Sequence, residues 1–293
     1  MHNPMFAALN RRQLLTRAAK TAGLGAAMSL LPLGESRSED SNMPPRFKYA
    51  ICNETFGDWP FKKAFAIVAE CGYQGIEIAP FTMAEYVTDI PAKRRTEVRQ
   101  LAEKNGLEIV GLHWMLAKTK GFHITSADAE VRRKTVEYLG ELARFCADLG
   151  GRIMVFGSPK QRDLASGMSK EQGMKYATEV FQAAVPALEK SDVTIALEPL
   201  GPKDTNFLTT AAEGVELMNL VNSPRVRLHL DCKAMATEST PDLGKGDSPL
   251  LPERPGGCFA QMGTVPFSAF GGIAHPQRKL AQLVAVVRQR MGL

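Results

Sequence analysis

Thr194-Ile-Ala-Leu-Glu198 and Val226-Arg-Leu-His-Leu-Asp231 each lead a short, largely apolar run straight into a carboxylate. A run of this length and composition reads as a buried strand of a parallel sheet with helices packed on it. Each carboxylate then stands at the C-terminal end of its strand. α/β barrels place their chemistry on that rim, so polar residues ending successive strands converge there. Glu198 and Asp231 are therefore candidates to share one divalent cation, because hard oxygen donors suit such an ion.

Working outward, strand-like and helix-like segments alternate from Phe47 onward. Strands are expected at residues 48–52, 75–79, 107–113, 152–156, 193–197 and 226–230. Helices are expected at 60–71, 92–105, 127–149, 169–190 and 210–221. Gly72 and Gly106 sit just past two helix ends, and Thr209 or Thr210 is placed to cap the fifth helix. Six such units predict an α/β fold of the (β/α)8 TIM-barrel type. A doubly wound sheet would carry a glycine-rich phosphate turn after its first strand, but that place holds Asn53-Glu54-Thr55-Phe56-Gly57.

After Asp231 the pattern breaks. Residues 244–272 contain seven glycines and four prolines, with no apolar run of strand length. Helical spacing returns only in residues 277–291. A long structureless stretch is foreign to a compact barrel. Residues 243–276 are therefore expected to be irregular, either as a loop-rich closure or because the reading frame shifts near Leu243.

The chain has 293 residues, enough for one barrel of about 250. Its composition, 44% hydrophobic and 23% charged, is that of an ordinary soluble protein. Most of the +5 formal charge lies before residue 36, where Arg11, Arg12, Arg17 and Lys20 face only Glu35. The barrel segment is close to neutral, which argues against nucleic acid as a partner. The paired arginines precede a Leu/Ala/Gly-rich stretch and a polar linker. Residues 1–42 thus read as a twin-arginine-type export signal with its linker, and residues 43–293 as the barrel. A periplasmic or extracytoplasmic location follows, with no stable membrane span expected unless the signal is retained. The five cysteines are odd in number and form no C-x-x-C pair, so buried free thiols are expected. Whether the chain forms a homo-oligomer is left open.

Other strand ends are polar too: Glu54, Glu77, His113 and Ser158. Several words now carry a specific resemblance. Gly75-Ile-Glu-Ile-Ala-Pro80, Val155-Phe-Gly-Ser-Pro-Lys-Gln-Arg162, Leu197-Glu-Pro-Leu200 and Leu230-Asp-Cys-Lys-Ala-Met235 are similar in order and spacing to the sugar phosphate isomerase/epimerase family. That family belongs to the xylose-isomerase-like barrel superfamily. The resemblance spans about residues 47–243. It implies a divalent metal, Mn²⁺ or Mg²⁺ first and Co²⁺ or Zn²⁺ next, held by Glu, Asp, His and Glu from strands five to eight. Glu198 matches the first Glu and Asp231 the Asp. It also implies an isomerase or epimerase that moves a proton through an enediolate on a ketose or related keto sugar, with Glu198 as ligand and acid/base.

By the same match Glu77, His113 and Asp204 are candidate substrate contacts, as are Lys160 and Arg162 for phosphate or sugar oxygens. Trp59 and Trp114 are candidate pocket walls. The remaining two metal ligands have no counterpart in the sequence. After Asp231 there is one histidine, His275, and two glutamates, Glu238 and Glu253. The position three residues after the Asp, often His in relatives, is Ala234. The alternative reading is a catalytically incomplete barrel, either a sugar-binding protein or a truncated or frameshifted product. A three-zinc endonuclease of the same superfamily would need far more than five histidines.

Overall fold

The computed structural model describes residues 48–231, Ala234 and the two-residue strand at 259–260. Expectations for residues 1–42, Cys232, Cys258, His275, Glu238 and Glu253 lie outside the described residues. The elements are β1 (Lys48–Cys52), α1 (Phe61–Glu70), β2 (Gly75–Ile78), α2 (Ala92–Lys104), β3 (Glu108–Leu112) and α3 (Ala129–Asp148). Then come β4 (Ile153–Phe156), α4 (Lys170–Ser191), β5 (Thr194–Leu197), α5 (Ala211–Val221), β6 (Val226–Leu228) and β7 (Phe259–Ala260). The strands form one sheet in the order β6-β5-β4-β3-β2-β1-β7, and every neighbouring pair is parallel.

The expected strand–helix alternation is thus present through β6. One short strand lies in the glycine-rich segment: Phe259 and Ala260 pair with Lys48 and Tyr49 of β1. Two residues are too few to show a period, which is why composition and spacing miss it.

The helices begin where side chains satisfy their free N–H groups. Asp128 accepts from Glu130 N at 2.8 Å to start α3, and Ser169 accepts from Gln172 N at 3.2 Å to start α4. At α5, Thr210 accepts from Glu213 N while the Glu213 carboxylate accepts from Thr209 N at 2.7 Å. This reciprocal arrangement fixes the helix start from both sides, as in a capping box. The apolar faces of the helices then close on the sheet. Phe65, Val98, Leu139, Leu142, Phe145, Phe181, Leu188 and Leu217 are all buried there. Phe156 of β4 meets Phe181 of α4 edge-on at 5.3 Å.

One departure from regular pairing and one close backbone approach shape the functional rim. The β2–β3 register shifts between Ile76 and Glu77, so that Glu77 pairs with Gly111. Such an irregularity re-aims the side chains beside it. Gly111 is also obligatory, since a Cβ there would lie 1.7 Å from the Ile153 carbonyl oxygen. Cys52, Cys71 and Cys146 are buried free thiols, as expected. Among the described residues no helix is long and apolar enough to cross a membrane.

Candidate active site

The C-terminal ends of the parallel strands carry the polar cluster. Glu77 is the third residue of β2, His113 follows β3 directly, Glu198 follows β5, and His229 and Asp231 follow β6. The strand ends are fixed by main-chain bonds: His113 N donates to Ile78 O at 3.1 Å, Glu198 N to Phe156 O at 3.1 Å, and His229 N to Leu197 O at 2.7 Å. Glu77, His113 and Glu198 are all buried.

The buried groups meet in pairs. His113 Nδ1 lies 3.8 Å from Glu77 Oε2, and His229 Nε2 lies 3.7 Å from Glu198 Oε1. Both separations exceed a direct hydrogen bond. Burial is the main influence on the charge states. It drives His113 down to about 3, helped by His229, and it lowers His229 against the opposing charge of Asp231. Both imidazoles are therefore neutral at pH 7, and neither contact is an ion pair. Burial, then the charges of Glu198 and Glu54, push Glu77 up to about 8. Two neighbouring carboxyls cannot both ionise cheaply in such a site, so Glu77 keeps its proton at neutral pH.

Glu54, in the single turn of 3-10 helix after β1, completes the acidic side. Burial raises it, against the pull of the Trp114 indole N–H and the Lys118 ammonium. The indole Nε1 is buried but not aligned for a hydrogen bond of ordinary geometry. Trp114 itself sits at φ 58°, a left-handed conformation costly for a bulky residue, directly after His113. Its ring meets His113 edge-on at 5.6 Å. Trp59 packs on Phe56 and carries the Lys63 ammonium 3.5 Å above its ring.

Gly157, just after β4, makes room for Glu198. A Cβ at that position would lie 1.8 Å from Glu198 Oε2. From the other side, Arg162 Nη1 donates to the Glu198 carbonyl oxygen at 2.8 Å, and the whole arginine is buried. Lys160 and Asp204 are exposed, on the turn after β4 and in the loop after β5 respectively. The structure therefore brings Glu77, His113 and Glu198 together with Glu54, encloses Arg162, and leaves Lys160 and Asp204 at the surface. His229 is the residue that sequence reasoning passes over. Its signal is the two-residue step to Asp231, which puts both on one side of an extended chain.

The donor chemistry on β5 and β6 suits a hard divalent cation: the Glu198 carboxylate leans over an open glycine, and Asp231 is the carboxylate of the neighbouring strand. Among the described residues, no three His, Cys, Asp or Glu side chains converge as a complete ligand set.

Comparison with known proteins places this rim in a lineage. The family model for xylose isomerase-like TIM barrels matches residues 65–249. The chain belongs to the xylose isomerase-like TIM barrel family. A probable ketose 3-epimerase of Synechocystis is 28% identical over 169 residues, which are 57% of this chain and 55% of that protein. An L-ribulose 3-epimerase of Mesorhizobium japonicum is 31% identical over 125 residues, 41% of this chain and 40% of that protein. The chain thus spans about half the length of the curated relatives it matches. Among solved structures, the D-psicose 3-epimerase of Clostridium cellulolyticum with D-tagatose superposes with a TM-score of 0.57 at 18% identity, covering 66% of each chain. That likeness is one of fold.

Proposed function

We propose that this chain is a sugar epimerase of the xylose isomerase-like family, acting on the carbon next to the carbonyl of a ketose. The observation that carries this reading is the buried meeting of Glu77 and Glu198 at one rim, each with a neutral imidazole beside it. Ketose 3-epimerases among the relatives support the substrate class.

Glu198 takes the proton from the carbon adjacent to the carbonyl, an enediolate forms, and a solvent-derived proton returned to the opposite face of that carbon gives the epimer. Glu77, holding its own proton at neutral pH, donates to a substrate oxygen and does not add a second negative charge. His113 and His229 each offer one donor and one acceptor for hydroxyl groups. The ring of Trp114 supplies an apolar wall beside His113. Glu198 and Asp231 would hold a divalent cation, Mn²⁺ or Mg²⁺ first, which when bound stabilises negative charge developing on the carbonyl oxygen. Residues 1–42 act in this reading as an export signal, supported by the Arg11-Arg12 pair.

The test is solvent exchange. Full-length protein with Mn²⁺ in D₂O is expected to place deuterium at the epimerised carbon of L-ribulose, D-psicose, D-fructose or D-tagatose. Glu198→Gln is expected to slow this by at least about 10²-fold, the usual size of a general-base effect. Absence of exchange with all four sugars, together with no Mn²⁺ bound in dialysis, would sink the proposal. A second reading, sugar binding without turnover, is favoured by the single histidine and two glutamates that follow Asp231. Saturable sugar binding with no exchange would select it.

A further inference from the structure

Arg162 is a charged side chain with no solvent exposure, and its guanidinium is only partly satisfied. Nη1 reaches the Glu198 carbonyl at 2.8 Å, while Nε and Nη2 are buried without a hydrogen-bond partner among the described residues. Burial lowers it to about 10, so it stays charged at neutral pH, supported by Glu198, Asp163, Asp204 and Glu213. A group so placed cannot meet a ligand from solvent unless the loop above it opens.

That loop is held on both flanks. Toward the loop after β3, Leu116 N donates to Ser158 Oγ at 3.1 Å, Ile124 N to Gln161 O at 2.9 Å, and Thr125 Oγ1 to Arg162 O at 3.1 Å. Toward the loop after β5, Asp163 Oδ1 accepts from Thr205 Oγ1 at 2.7 Å and from Asn206 N at 3.3 Å. Asn206 then pairs with the Leu164 backbone in both directions, at 2.6 and 3.0 Å. The main chain that carries Arg162 is thereby pinned, and the guanidinium is a fixed strut beneath the end of β5. At the top of β4, Gly157 leaves the volume that the Glu198 carboxylate fills.

We propose that Arg162 is a positioning residue for Glu198: it clamps the Glu198 carbonyl from inside the protein, while Gly157 admits the carboxylate, so the segment after β4 sets the direction of the group ending β5. This replaces the expectation that Arg162 touches substrate. Its catalytic consequence rests on the epimerase reading, whereas the placement of Glu198 does not.

The experiment is Arg162→Met in the full-length chain, with Arg162→Lys as the conservative partner, read by crystal structure, Mn²⁺ titration and steady-state kinetics. Met fills similar volume and removes the clamp. The expected result is a folded protein whose Glu198 carboxylate has left Gly157 by about 1 Å or more. A displacement of that size can cost about 10²-fold in rate, so kcat should fall by about that factor with KM within threefold, and Mn²⁺ binding should weaken about tenfold. Arg162→Lys, which keeps a donor for the carbonyl, should recover most of each. If wild type neither binds Mn²⁺ nor turns over ketoses, the epimerase reading fails and the position of Glu198 alone decides the proposal. A displaced carboxylate then supports it. A lowered melting temperature with Glu198 superposing on wild type and unchanged Mn²⁺ affinity overturns it. Should Arg162→Met not fold, Arg162→Gln, too short to reach the carbonyl, is judged by the same positions and affinities.

Discussion

Glu77 faces Glu198 and Glu54 with Oε2 buried and without a hydrogen-bond partner among the described residues. Its raised proton affinity has a thermodynamic counterpart. The folded protein keeps this proton between the ordinary carboxyl value and about 8, while the unfolded chain has lost it. Glu77 therefore favours folding fully only below that window, and its contribution is lost as pH rises through it, with a limiting slope of about 1.4 kcal/mol per pH unit. Glu77→Gln, which imitates the protonated carboxyl, is expected to gain stability over wild type between pH 5 and 8 in metal-free protein. Urea midpoints across that range check it, and parallel curves would contradict the assignment. Glu77 is legible in the sequence because it interrupts an apolar strand. The charge state is not, because it arises from burial in the folded rim and then from Glu198, more than a hundred residues away. His229 is hidden for a related reason: inside Arg-Leu-His-Leu it reads as strand filler until β5 is set beside it.

At the scale of elements, α4 carries Pro186 on an exposed face of its interior. Proline there removes one main-chain bond and crowds the preceding turn, at a cost of about 3 kcal/mol relative to alanine. Its rigidity in the unfolded chain returns only about 1 kcal/mol. Pro186→Ala is accordingly expected to stabilise the protein by about 2 kcal/mol, measured by chemical denaturation; a loss of stability would show that the local bend is needed for packing. The helix continues through Pro186 because Val180, Phe181, Ala184 and Leu188 are buried against the sheet on the other side. This is why strand and helix positions are legible here from apolar spacing alone, to within a residue or two. The 3-10 turns at Asn53–Phe56, Pro80–Thr82, Val87–Asp89 and Pro159–Gln161 are not. Each is a single turn, too short for a period, and its place is set by contacts such as Asn53 Oδ1 accepting from Ala79 N at 2.8 Å. Likewise β6 ends at Leu228, paired with Leu197 of β5, two residues before its apolar spacing does.

For the molecule as a whole, the two ends of the strands do different work. At the N-terminal end, Asp192 caps α4 in the left-handed conformation and binds Arg152, before β4, and Arg225, before β6, the latter at 2.8 Å. Arg225, then Arg152, hold its carboxyl below the usual range. A depressed carboxylate favours folding above its unfolded value, and this is lost as pH falls through the folded one. Asp192→Asn keeps the backbone conformation and is expected to lower the melting temperature slightly at pH 7 in low salt. The difference should vanish in acid or at high salt, because the pair is exposed. A difference that persists at low pH would assign the effect to the backbone instead. At the C-terminal end, the loops are bound to one another, and the reciprocal pairing of Asp163 and Leu164 with Thr205 and Asn206 has an evolutionary reading. Loops that share hydrogen bonds cannot drift separately. Changes in the loop after β4 that break these bonds call for matching changes in the loop after β5. Variation at 163 or 206 alone removes a shared bond, while paired variation can keep the two loops joined.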